Sequence, residues 1–434
     1  MTILIKKRIV PILLITLNLI LYKNINNHLI SFNDDEVIAT ITSDNENELM
    51  DAITQLNENG GIIYIDTPVI NIIKSSSISL NGDLPGGIIG IKQSNEEYPK
   101  INFIKEENNS FFGIIILGSN KFIEYIIIEN IPDFGVTIVG DNNILDHVIS
   151  RYNQRGGFQI RGNYNTLKYC YAYRNGQFYH DLLPIIGDQG FQISGEKNNV
   201  LNYCFAWDNV GSGFSYEGTF KPSDISYLHS GSWNNGNINV YTGKYDYDNG
   251  NHLDKNLWSI KKIMEYNPNF VSNYYNKKLN IDDAYIDGMT VKEWIAKVSP
   301  SLEGYGFIFG ISSISQTNDI KRKKNAFNCV AFDNLGGFIE FYNHKYSAEM
   351  NNCVSFNNGI NYQLPYSFSE WTNNWGWGSK NKDQLNKVTT QIPSNTNTAQ
   401  RSFYSVRDQI IKAVYANMFP ENINFDKIII GLKE

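Results

Sequence analysis

Charge is scarce in this chain. Asp, Glu, Lys and Arg make up 19% of its 434 residues, against roughly 25% in an average soluble domain, so its polarity rests on Asn, Ser, Thr and Tyr. Cations are also the minority, 37 Lys and Arg against 44 Asp and Glu, for a formal charge of −7. Neither a nucleic-acid footprint nor an anionic-membrane footprint has support from that balance. Proline is rare, 12 residues, beside 34 Gly, 27 Tyr and 24 Phe; such a mixture fits a strand-rich, turn-rich body and argues against a helical bundle or a disordered chain. The sequence has no metal-spaced His/Cys motif, no phosphate-cradling glycine loop and no serine-nucleophile elbow.

Long apolar runs are missing too, apart from the first residues. There Lys6, Lys7 and Arg8 precede an apolar run from Ile9 to Tyr22, the order of a secretory signal peptide. At about 14 residues the run is short for a membrane span. Residues 1–22 are therefore expected to be a signal peptide. An uncleaved anchor is the alternative, because Leu19 to Tyr22 run into Lys23 without small residues for cleavage. The rest of the chain is expected to be secreted, with no integral membrane domain beyond that segment.

Only four cysteines occur, and each opens the same phrase. Cys170-Tyr-Ala-Tyr-Arg-Asn, Cys204-Phe-Ala-Trp-Asp-Asn, Cys329-Val-Ala-Phe-Asp-Asn and Cys353-Val-Ser-Phe-Asn-Asn are copies of one another, and Val148 to Asn153 and Ser230 to Asn235 are copies without the cysteine. A second phrase, Gly followed by Phe, recurs at 157–158, 190–191, 213–214, 306–307 and 337–338. The closing asparagines, 153, 175, 209, 235, 334 and 358, are spaced by 22, 34, 26, 99 and 24 residues. The short intervals define a unit of three short strands and their turns; the long ones hold insertions. Such a period is that of one coil of a parallel β-helix.

Coils that stack about 4.8 Å apart turn equivalent positions into ladders. Alternation puts Phe158 and Ile160 inside, with Gln159 and Arg161 outside; Phe214 and Tyr216 likewise alternate with Ser215 and Glu217. Asn175, Asn209, Asn334 and Asn358 are expected to take the left-handed turn geometry and to stack their amides in file. The cysteines are read as small inward residues, with disulfides between Cys170 and Cys204 or Cys329 and Cys353 as the alternative. Glu46 to Leu56 has helical spacing and would cap the first coil, whose edge otherwise invites aggregation. Val406 to Met418 reads as a closing amphipathic helix. The expected organisation is a β-helix over 40–375, an insertion at 243–300 with helical segments near Trp258 and Val291, and a C-terminal loop and capping helix over 376–434.

Ile160-Arg161-Gly162-Asn163-Tyr164-Asn165-Thr166, Gly190-Phe191, and Cys-x-Ala-aromatic-Asp-Asn followed by Gly-Phe resemble the family-nine pectate lyases and their right-handed parallel β-helix relatives over about 130 to 365. The resemblance implies an all-β, single-stranded right-handed solenoid of the pectin lyase-like kind. It also implies β-elimination of a uronic-acid polysaccharide: Ca²⁺ held by aspartates neutralises the sugar carboxylate, and a lysine removes the proton beside it. At the matching positions this sequence has Gln189, Gly211, Ser212 and Ser215 for the aspartates and Ile308 for the lysine, so the family's Ca²⁺ ligands and base are not retained. The Gly-His-Gly phrase of polygalacturonases is absent.

A replacement set is expected on the same face. Arg161 could pair bidentately with a uronate carboxylate, and His180 and Lys221 are further candidates for acid–base work. Asp188, Gln192, Glu217 and Lys244 are the candidate substrate-binding residues. Trp371, Trp375 and Trp377 are candidates for a sugar-stacking platform. The expected activity is eliminative cleavage of a pectic or other uronic-acid polysaccharide by a monomer; the alternative is a non-catalytic carbohydrate-binding or surface β-helix.

Overall fold

The computed structural model describes residues 36–432 except 75–76, 105–112, 154, 177–188, 196, 210, 217–223, 237–284, 287–288, 291–303, 310–322, 341–346, 366–370, 386–387, 422 and 424. The segments near Trp258 and Val291 lie outside the described residues, as does the N-terminal apolar run. Met1–Val37 and Ile38–Glu434 separate as two units, and the second contains the solenoid.

Each coil is three short strands. Gly156–Ile160 leads through Gly162 to Asn165 into Thr166–Lys168; Tyr171–Tyr173 follows, and the next coil resumes at Phe191–Ile193. Equivalent strands pair in parallel and without slip: Phe158 with Phe191, Phe191 with Phe214, Leu167 with Leu201, Ala172 with Ala206. The strands of the coils gather into a nineteen-stranded sheet that folds around two flanks and a ten-stranded sheet that forms the third, and Tyr285–Ile286 and Met289–Thr290 make a separate antiparallel pair. All-parallel pairing buries both faces of such strands, which is why runs such as Ile126 to Ile128 are apolar on consecutive positions and fully buried.

Inside the coil, Phe158, Phe191, Phe214, Phe307 and Phe338 stack ring on ring with centroids 4.6–4.9 Å apart. Each such buried side chain contributes about 2–3 kcal/mol of hydrophobic stabilisation. The glycine before each phenylalanine is sterically required. A Cβ on Gly157 would sit 2.9 Å from Ala172 Cβ and 3.1 Å from Asn175 Nδ2, and one on Gly190 would sit 2.9 Å from Asn209 Nδ2.

The asparagines form the expected file. Asn153 donates to Asn175 Oδ1 at 2.9 Å, Asn175 to Asn209 at 3.0 Å, Asn209 to Asn235 at 2.9 Å and Asn235 to Asn334 at 3.1 Å. The left-handed residue is not the ladder asparagine but the one before it: Arg174, Asp208, Asn234, Asp333 and Asn357 have φ between 52° and 55°. The kink turns each asparagine side chain into the coil, where its amide completes backbone bonds that the corner would otherwise strand. The cysteines are free and buried; Cys170 and Cys204 donate their thiols to the Leu145 and Leu167 carbonyls at 3.6 and 3.5 Å.

At the N-terminal end, α1 (Glu46–Asn59) is capped by Asn45 and buries Leu49, Ala52, Ile53 and Leu56 against the same core as Ile63, Ile78 and Leu80. Near the other end, α2 (Thr396–Tyr415) and α3 (Phe425–Gly431) lie along a flank. The aromatics of the cysteine phrase point outward there, and Tyr173, Trp207, Trp233, Phe332 and Phe356 pack with Phe403, Ile410, Val414 and Phe425 of the helices. Trp375 and Trp377 belong to this layer, 2% and 8% exposed, with Trp377 stacked on Phe356 at 4.6 Å. They are packing, not a sugar platform.

Candidate functional site

The outward column of the ten-stranded sheet runs through Thr137, Gln159, Gln192, Ser215, Ile308 and Ile339, fixed by the register of successive coils. Its character changes along the axis. Gln159 donates its side-chain amide to the Gln192 side-chain carbonyl, and Ser215 follows. From the next coil the column is aliphatic, with Ile308 and Ile339 fully buried. Two residues beyond each column position, at the strand end, Arg161 and Ser194 stand side by side: Arg161 is exposed, and the Ser194 amide donates to the Ile160 carbonyl at 2.8 Å. Arg161 makes no ion pair with a carboxylate among the described residues.

Of the sequence-predicted site residues, the structure therefore places Arg161 and Gln192 on one face, on adjacent coils. Gln192 is 4% exposed and held in the amide ladder, so its polar edge is prepositioned, whereas Arg161 is free to reach solvent. His180, Asp188, Glu217, Lys221 and Lys244 lie outside the described residues.

Spacing arguments did not single out a second cluster at the neighbouring corner. Lys324 occupies an inward position, in register with Ile225 and Ala348. It is 3% exposed, donates from Nζ to the Phe309 carbonyl at 2.6 Å, and sits 3.8 Å from the centre of the Tyr216 ring. Burial draws its ammonium down to about 7, against the opposing pull of Glu340, which is itself 4% exposed. The signal was present in the repeat: five residues before each cysteine phrase stand Asn143, Asn165, Asn199 and Ile225, all inward, and Lys324 takes that place. Lys121 stands earlier in the same column and likewise donates to a carbonyl, that of Leu84, at 2.6 Å; its ammonium is also lowered by burial. Lysine at this corner is thus a device for satisfying turn carbonyls. At Lys324 the site adds a carboxylate and an aromatic face.

The residues where Ca²⁺ would be held do not suit it. Gln189, Ser212 and Ser215 are buried and offer an amide and hydroxyls, whereas a hard dication is bound chiefly by carboxylates. Among the described residues, no three or more His, Cys, Asp or Glu side chains cluster as ligands would.

A family model described as right handed beta helix region matches residues 112–240. Among solved structures the chain is similar to pectate lyase Pel9A, at 16% identity with a TM-score of 0.54 over 84% of this chain and 80% of that one. It is also similar to a rhamnogalacturonan lyase, at 15% identity and a TM-score of 0.51 over 83% and 87%. No curated protein matches the sequence. The chain is a right-handed parallel β-helix. Its fold is that of the polysaccharide lyases just named, and at these identities the likeness is one of fold.

Proposed function

We propose that this is a secreted, carbohydrate-active β-helix protein of the pectate lyase kind, and that it cleaves a uronic-acid polysaccharide by elimination on the ten-stranded face. The observation behind this reading is Arg161, an exposed guanidinium with no described carboxylate partner, beside Ser194 and the Gln159–Gln192 amide ladder on a lyase-like solenoid. A guanidinium fork matches a sugar carboxylate and withdraws charge from it, which acidifies the adjacent C5 proton. A base removes that proton, the electron pair forms the C4–C5 double bond, and the C4 glycosidic oxygen leaves with its bonding pair and takes up a proton. His180 and Lys221 are the candidates for the proton transfers; Asp188, Gln192, Glu217 and Lys244 would bind the sugar hydroxyls.

One observation favours a second reading, a binding protein without turnover: Ile308 and Ile339 put a buried aliphatic ladder where the resemblance would require a base. Incubation with polygalacturonate, rhamnogalacturonan and alginate separates the two. Growth of ultraviolet absorbance from an unsaturated sugar end supports the lyase. Saturable binding of the same polymers with no such absorbance supports the second reading.

A further inference from the structure

On another edge of the solenoid, six rings stack along the coil axis. Tyr98, Tyr125, His147, Tyr169, Tyr203 and His229 follow one another with centroid separations of 5.3, 4.7, 4.6, 5.0 and 4.8 Å and interplanar angles of 11–21°. The last five sit on left-handed backbone, φ 49–56°, a conformation rare for bulky residues. Each kink throws its ring outward from the coil. In the following coils the position is Asn328 and Asn352, with the same φ of 55°, so the turn tolerates Asn and the rings are not demanded by it.

The first five of these rings form one wall of a cleft of about 940 Å³ whose other wall carries Met418, Phe419, Pro420, Glu421 and Ile423; His229, beyond the cleft, holds Asp426 at 2.8 Å. Phe419 closes its floor edge-on, 4.9 Å from Tyr98 and 5.3 Å from His147. Because the rings stack on one another, they present edges to the cleft rather than faces. The result is a comb of phenol and imidazole groups repeating once per coil. Asp146 holds His147 Nδ1 at 2.6 Å, which leaves Nε2 as that ring's remaining polar atom. At the rim, Lys92 and Lys427 are balanced by Glu96 and Glu421, and Lys92 pairs with Glu96.

We propose that this cleft binds an extended, neutral, 1,4-linked polysaccharide chain, separately from the uronate site. Such a chain advances by about one coil spacing, roughly 5 Å, per sugar, so its hydroxyls fall in step with the comb, and the apolar wall takes its C–H edges. The balanced rim carries no net charge with which to select a polyanion.

Isothermal titration of the full chain with xylo- and cello-oligosaccharides, and with oligogalacturonate for comparison, tests this, alongside His147→Asn and Tyr169→Asn. Both variants keep a residue suited to the left-handed turn, and far-ultraviolet circular dichroism checks their fold. The expected result is saturable binding of the neutral oligosaccharides that falls at least about tenfold in each variant, with any eliminative activity unchanged. Absence of neutral-oligosaccharide binding to the wild type, equal affinity in folded variants, or variant-sensitive binding of oligogalacturonate in preference to neutral chains would each overturn it.

Discussion

The ammonium nitrogen of Lys324 lies 3.8 Å from the centre of the Tyr216 ring, buried inside the coil. Its proton affinity is lowered to about 7, below that of an unfolded lysine. Folding therefore costs most below pH 7, where the group is protonated in both states, and the cost fades as pH rises toward the unfolded value. The stability of the wild type relative to Lys324→Met is expected to improve by on the order of 3 kcal/mol between pH 7 and pH 10. Denaturant midpoints of the two proteins across that range check it; parallel curves would show that the lysine keeps an ordinary proton affinity.

Asp208 gives a test of opposite kind. It is 3% exposed, accepts from the Asn234 amide, and lies under α2; burial raises its carboxyl to about 6 despite the nearby Arg174 guanidinium. A raised carboxyl weakens the folded state as pH climbs from the unfolded value near 4 through 6. Asp208→Asn is expected to match the wild type below pH 4 and to exceed it by roughly 3 kcal/mol at neutral pH. Hydrogen exchange in Thr396–Tyr415 should slow in the variant at neutral pH.

The asparagine file predicts a large effect from a small truncation. Asn209 donates to Asn235 Oδ1 at 2.9 Å and to the Ala172 carbonyl at 3.0 Å, and accepts from Asn175 at 3.0 Å. Asn209→Ala leaves these buried partners unsatisfied and is expected to cost about 3 kcal/mol, read as a lower denaturant midpoint at constant slope. Loss of less than about 1 kcal/mol would mean the file is not a structural spine.

The thiols supply a chemical check. Burial pushes the Cys170 and Cys329 thiols well above their ordinary value. In the native protein all four should resist alkylation and appear as four alkylated residues only after denaturation without reductant. Mass spectrometry showing fewer than four would reveal a disulfide.

How much of this was legible in the sequence follows from periodicity. Repeats at 22 to 34 residues exposed the coil, because Cys170, Cys204, Cys329 and Cys353 must occupy one ladder, and the Gly-Phe phrase marked a second. The left-handed position was read one residue late, since polarity drew attention to Asn175 and Asn209, whereas the kink falls on Arg174 and Asp208. The outward aromatic layer under α2 was hidden as well: alternation tells inside from outside only when outside means solvent, and here Trp207 and Trp233 are buried from beyond the coil. Arg161 and Gln192 could be placed on one face by parity alone. Lys324 escaped because its polarity suggested a surface residue, although its spacing to Cys329 equals that of Asn199 to Cys204.

The central claim is that Arg161 anchors a sugar carboxylate for eliminative cleavage on the ten-stranded face. Its most direct test is the rate of unsaturated-product formation from uronic-acid polymers by the wild type and by Arg161→Ala, with the fold of the variant checked by circular dichroism. The account predicts measurable turnover in the wild type and a loss of at least about a hundredfold in kcat/KM in a folded Arg161→Ala, the equivalent of one charge-assisted contact. Turnover that survives Arg161→Ala undiminished, or a wild type that forms no unsaturated product from any of the polymers, would contradict it.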